Sequence, residues 1–143
     1  MIIPDVNLLI YASNRDAPLH RAARRWLEAT ISGSETIGLP WNVLLAFLRI
    51  TTRQGPLRNP LSLDKAFDLV ESWLDQPSVV VLHPGPRHAR LLRDLLEPLG
   101  TGGNLTSDAH LAAIAIEQGA ELCSSDTDFV RFHGLRWSNP LAA

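Results

Sequence analysis

Ile2-Ile3-Pro4-Asp5-Val6-Asn7-Leu8-Leu9-Ile10-Tyr11 is the stretch that decides the fold. Two branched apolar residues, a carboxylate and a further apolar run read as a short buried strand that passes through a turn into a helix. Asp5 then falls at the carboxyl end of a strand. Pro4 cannot donate to a ladder, so a central strand here must end at Pro4 or place it where no donor is needed.

Working outward, Pro18 opens a helix of about 14 residues, with Leu19, Ala22, Ala23, Trp26 and Leu27 as its apolar stripe and Arg21, Arg24 and Arg25 on the other face. Thr36-Ile37-Gly38-Leu39 reads as a strand. Pro40 starts the next helix, with Leu44, Leu45, Phe47 and Leu48 inside and Arg49 and Arg53 near its end. Ser62 caps a helix whose stripe is Leu63, Phe67, Val70 and Leu74, and Val79-Val80-Val81-Leu82 is the clearest buried strand. A Leu-rich helix from Leu91 to Leu99 stops at Gly100. Another begins near Asp108 and runs to Gly119, Glu121-Leu122-Cys123-Ser124 is a strand, and Asp126-Thr127-Asp128-Phe129 follows at once. Strands separated by helices, with no hairpin signal, predict an α/β protein around a mainly parallel sheet.

The chain of 143 residues fits one domain, 1–143. No apolar run approaches the roughly 20 residues that span a bilayer, and the first residues lack the basic start of a secretory signal, so the expected location is cytoplasmic, with no membrane partner. The single cysteine, Cys123, lies in an apolar stretch and reads as a buried small side chain. Net charge is −2, yet residues 1–60 carry seven Arg against four acids while residues 61–143 carry six basic groups against eleven acids. The basic residues sit early, and twelve of the 13 are Arg, whose planar fork suits bidentate phosphate contact.

Ligands of open parallel sheets bind beyond the carboxyl ends of the strands, where Asp5, Asp126 and Asp128 all fall. Asp108 opens a helix packed beside the same sheet. Carboxylates gathered within a few ångströms persist at neutral pH only if they are protonated in part or hold a cation, and oxygen ligands alone point to Mg²⁺ or Mn²⁺. Each acid also has a structural reading: Asp126 and Asp128 as turn residues, Asp108 as a first-turn helix acid. The five His, at 20, 83, 88, 110 and 133, show no zinc spacing, and His110 is the one expected nearest the acids. No Gly-x-Gly-x-x-Gly, P-loop or Gly-x-Ser-x-Gly occurs, which removes support for nucleotide cofactors and serine hydrolysis.

These residues resemble the PIN-domain ribonucleases, in particular VapC-like toxins of bacterial toxin–antitoxin pairs. Asp5-Val6-Asn7-Leu8-Leu9-Ile10-Tyr11 looks like the family's opening acidic motif, Asp108-Ala109-His110-Leu111-Ala112-Ala113 like its third and Ser124-Ser125-Asp126-Thr127-Asp128-Phe129 like its fourth. The resemblance spans nearly the whole chain. It implies a three-layer α/β/α fold, Mg²⁺-dependent endonuclease action on RNA, a homodimer, and neutralisation by a small antitoxin protein seated in an apolar groove, for which Trp26, Trp41 and Trp73 are eligible anchors if exposed. One departure stands out: where the family usually has a Glu before a hydrophobic-hydrophobic-Arg stretch, this chain has Ala46-Phe47-Leu48-Arg49.

The expected chemistry is phosphodiester hydrolysis, with a divalent cation on Asp5, Asp108 and Asp126 and with Asp128 orienting water or the cation's outer shell. Asn7 and Ser124 would hold these carboxylates by hydrogen bonds. Arg21, Arg24, Arg25, Arg49 and Arg53 are candidates for a basic rim toward RNA. The alternative is a PIN-fold module that binds RNA or a protein partner without turnover, for which Ala46 is the best support. A phosphoacceptor receiver domain would want a Lys near its last strand, and the only Lys is Lys65.

Overall fold

The computed structural model describes residues 1–142 and is a five-stranded parallel sheet, in the order β3-β2-β1-β4-β5, flanked by six α-helices. The strands are β1 (Ile2–Pro4), β2 (Ile37–Pro40), β3 (Val79–Leu82), β4 (Glu121–Cys123) and β5 (Arg136–Ser138). The helices are α1 (Val6–Ser13), α2 (His20–Ile31), α3 (Trp41–Thr51), α4 (Leu63–Leu74), α5 (His88–Leu96) and α6 (Thr106–Gln118). This is the expected α/β architecture with a wholly parallel sheet. Among the described residues no helix is long and apolar enough to cross a membrane.

β1 is the central strand and it ends at Pro4. Successive N–H groups of a strand point to opposite neighbours, and Ile2 N donates to Thr36 O on the β2 side. The donor missing at Pro4 therefore falls on that same side, where the ladder is a single register pair, Ile2↔Ile37. The β4 side keeps Ile2↔Glu121, Ile3↔Leu122 and Pro4↔Cys123, and Asp5 N donates to Cys123 O at 2.8 Å. One residue further along this register, Asp5 is level with Ser124.

The core is built from Ile3, Leu9, Leu39, Phe47, Ile114 and Leu122, with Phe47 and Trp73 in an edge contact at 4.9 Å. α6 is buried almost all round from Ala109 to Ala115 and stops at Gly119, whose φ of 63° is the left-handed geometry that glycine takes without strain.

Several expectations are corrected. Val79–Leu82 is an edge strand with Val80 40% exposed, because β2 is its one sheet neighbour. The helix expected from Pro18 starts at His20, and Leu19 is exposed. α4 buries Ala66, Val70 and Trp73, so Leu63 and Phe67 face outward, and Leu45 on α3 is exposed rather than inside. Pro40 is the last residue of β2 and the N-cap of α3. β5 was not expected: three residues beginning with Arg carry too little pattern to read as a strand. Of the three Trp offered as antitoxin anchors, Trp73 is buried, Trp26 packs partly buried against the core, and only Trp41 is exposed.

Candidate active site

The site forms where β1 and β4 end side by side. Asp5 is the N-cap of α1: its φ and ψ of −74° and 159° are extended, and Oδ1 accepts from Val6 N at 2.8 Å. Oδ2 accepts from the Ser124 hydroxyl at 2.7 Å and from Asn7 Nδ2 at 3.4 Å. The Ser124 oxygen in turn accepts from Asn7 Nδ2 at 3.1 Å and Asp126 N at 3.0 Å. One donor and two acceptor positions are all a hydroxyl has, so Ser124 is fully used. Asn7 completes the ring by accepting from Ser125 N at 3.4 Å. Asn7 and Ser124 thus hold Asp5 as expected.

Asp126 caps a 3-10 helix, Thr127–Arg131, its Oδ1 accepting from Asp128 N at 2.9 Å. Phe129 and Phe132 pin this short helix to the core with rings 5.9 Å apart. Its outer face carries Asp128 and, three residues on, Arg131, which approaches Asp128 Oδ1 at 3.8 Å. Asp108 stands in the first turn of α6.

Asp5 and Asp108 feel the charges of their acidic neighbours. Burial pushes the Asp5 carboxyl above its ordinary range, against the pull of Ser124 and Val6, and the Asp126 charge raises it further. Asp108 is pushed up to about 6, first by burial and then by the charges of Asp5, Asp126 and Asp128. A first-turn helix position favours a carboxylate, so this rise runs against the helix dipole. Among the described residues no three His, Cys, Asp or Glu side chains stand close enough to hold one ion between them. The set is a neighbourhood of like charges rather than a closed coordination shell. Its chemistry fits a hard divalent ion that keeps most of its waters and takes one or two carboxylates directly, as Mg²⁺ does.

Other expected residues lie elsewhere. His110 turns to His88, with Nδ1 2.8 Å from His88 Nε2 and the rings edge to face, and burial followed by the His88 charge lowers its pKa. It takes no part in the carboxylate set because α5 packs against its side of α6. Arg21, Arg24 and Arg25 are exposed on α2, Arg24 pairing with Glu28 at 2.9 Å. Arg49 lies about 12 Å along α3 from the strand edge, and Arg53 lies beyond the helix. Ala46 is half-buried and brings no carboxylate to α3. Cys123 is buried, its thiol pushed up to about 11, and is inert as expected. Arg131 carries no signal in the sequence: a cation three residues from an acid is common, and the short 3-10 helix that eclipses the two follows no pattern legible there.

A groove of about 760 Å³ opens away from the carboxylates, between α1, α2 and α4. Leu27, Ile31, Leu69 and Trp73 line it, with Arg24 and Lys65 among its charged residues.

The PIN domain family matches residues 2–135. Ribonuclease VapC33 of Mycobacterium tuberculosis is 48% identical over 141 residues, covering 99% of each chain. Ribonuclease VapC37 of the same species is 44% identical over 142 residues, again 99% of each. Among solved structures, VapBC2 from Rickettsia felis bound to a DNA fragment from the promoter superposes with a TM-score of 0.70 at 19% identity, covering 97% of this chain and 98% of that one. With the family match running from β1 to the residue before β5, and with relatives close to half identical from end to end, the chain belongs to the PIN-domain family.

Proposed function

We propose that the chain is a divalent-cation-dependent endoribonuclease of VapC type, the toxin of a toxin–antitoxin pair that acts in the cytoplasm. The observation that carries this reading is the meeting of Asp5 and Asp126 at the ends of β1 and β4, joined through the Ser124 hydroxyl, with Asp108 opening α6 within reach of their charges. Like charges gathered at strand ends without a compensating cation are stabilised by a bound divalent ion. The VapC names of the two relatives supply the substrate class.

Bound Mg²⁺ or Mn²⁺ would polarise the phosphodiester and lower the pKa of an attacking water. The protein's part is positional. Asp5 has both oxygens fixed by Val6 N, Ser124 and Asn7, so it presents its one remaining lone pair, on Oδ1, in one orientation. Asp126 commits Oδ1 to the 3-10 cap and leaves Oδ2 for the cation. Asp108, on a helix that its own burial makes rigid, would accept from the waters that the cation keeps. Asp128, half-exposed, orients water.

The groove between α1, α2 and α4 is the proposed seat of an antitoxin helix, whose apolar face would meet Leu27, Leu69 and Trp73 and whose polar face would meet the charged rim. Trp41 and Leu45, exposed one turn apart on α3, are the proposed contact of a homodimer.

A second reading, a binding module without turnover, is favoured by Ala46. Incubating the purified chain with total bacterial RNA in Mg²⁺, Mn²⁺ or EDTA, beside Asp108→Asn, separates the two. Discrete fragments that need metal and vanish in the variant are expected. RNA binding with no cleavage in either metal, from folded and antitoxin-free protein, would establish the binding module instead.

A further inference from the structure

We infer that Arg131 is the residue that receives a backbone phosphate of the RNA at the edge of the carboxylate set, an inference that rests on the proposed ribonuclease reading. An acidic crevice repels a polyanion, so substrate must meet positive charge close to the reacting centre. The five arginines singled out by sequence make no ion pair with any of the four acids. Among the described residues the one cation that approaches them is Arg131, 3.8 Å from Asp128 Oδ1.

Three features suit it to the task. In a 3-10 helix residues three apart eclipse, so Arg131 stands directly over Asp128 on the outward face. At 3.8 Å the pair attracts electrostatically without a hydrogen bond, and the guanidinium keeps its donor fork free for a phosphate. Phe129 and Phe132, both buried, fix the backbone on either side, so the charge is held on a rigid mount while its side chain remains 57% exposed. An exposed pair of this kind adds little to folding. Its position at the site is what calls for an explanation.

The test compares Arg131→Ala and Arg131→Lys with Arg93→Ala, which removes the same charge from the exposed α5 pair with Glu97. Steady-state cleavage of a single-stranded RNA in Mg²⁺ should show Arg131→Ala raising KM about tenfold, the worth of one charge-assisted contact, with kcat within about twofold. Binding of a labelled RNA oligonucleotide in EDTA, where cleavage is off, should lose about 0.7 from the slope of log K against log salt, the share of one phosphate contact on a single strand. Arg131→Lys should keep that slope and recover part of the affinity, and Arg93→Ala should match the wild type. Calorimetric Mn²⁺ binding and thermal midpoint should be unchanged in all three. Wild-type KM and salt slope in Arg131→Ala, from a wild type that cleaves RNA, would overturn the inference alone, as would an equal loss in Arg93→Ala. A wild type that neither binds nor cleaves RNA would overturn the ribonuclease reading and this inference with it.

Discussion

The Ser124 hydroxyl donates to Asp5 Oδ2 at 2.7 Å and so couples residues 119 positions apart in the chain. The same oxygen receives Asn7 and the main chain of Asp126, which makes it the hub of the site. Ser124→Ala strips a buried carboxylate of its shortest side-chain donor and leaves an unpaired N–H. It should cost about 1–3 kcal/mol in urea unfolding and push the Asp5 carboxyl higher still. RNA cleavage should fall at least tenfold, and Ser124→Thr, which restores the hydroxyl, should recover most of both.

Asp108 carries a stability cost that depends on pH. Its folded carboxyl titrates near 6 against an ordinary value of 3.8, so the folded chain binds more protons than the unfolded chain between those values. The stability this group contributes is therefore full below about 3.8 and lost as pH rises through 6. Asp108→Asn should raise the thermal midpoint of metal-free protein at pH 7.5, and that gain should shrink to nothing near pH 4. Scanning both proteins across this range in EDTA checks the sign. Adding Mn²⁺ at pH 7.5 should stabilise the wild type more than the variant.

Ala46→Glu puts a fifth carboxylate on a half-buried position of α3. Without metal it should lower the thermal midpoint, since another like charge joins a crowded set. Mg²⁺ should restore more of that loss than it adds to the wild type, and calorimetry should find tighter cation binding. An identical response in the two proteins would mean that position 46 does not face the carboxylates.

Gly38 in β2 has no room for a side chain: an added Cβ would stand inside the Leu82 side chain and 3.2 Å from Met1 Sδ. Gly38→Ala should destabilise by about 1–3 kcal/mol. Combining it with Leu82→Ala should give a loss smaller than the sum of the two single losses, a coupling read directly from denaturation curves.

The placement of the acids was legible because each follows a short apolar run or opens a helix, and strand ends collect ligands in this class of sheet. Asn7 and Ser124 were legible as partners from their two-residue offsets. The register that sets Asp5 level with Ser124 was not, since nothing local in either segment encodes which strand will be its neighbour. Edge position is equally non-local, which is why Val80 reads as buried and is not. α4 has apolar residues at 63, 66, 67, 69, 70, 73 and 74, enough for two overlapping stripes. The contact of Trp73 with Phe47 selects the one through Ala66, and no spacing rule within α4 foretells it. His110 misled because its helix position beside Asp108 says nothing of His88, which arrives from α5.

The order of the strands in space has a consequence for synthesis. β1 leaves the ribosome first yet sits in the middle of the sheet, and one of its two neighbours, β4, is made more than a hundred residues later. Until that neighbour emerges, Asp5 lacks Ser124, and Asp126 and Asp128 do not exist. The acidic centre can therefore assemble only after β4 and the turn that follows it have been made and paired with β1.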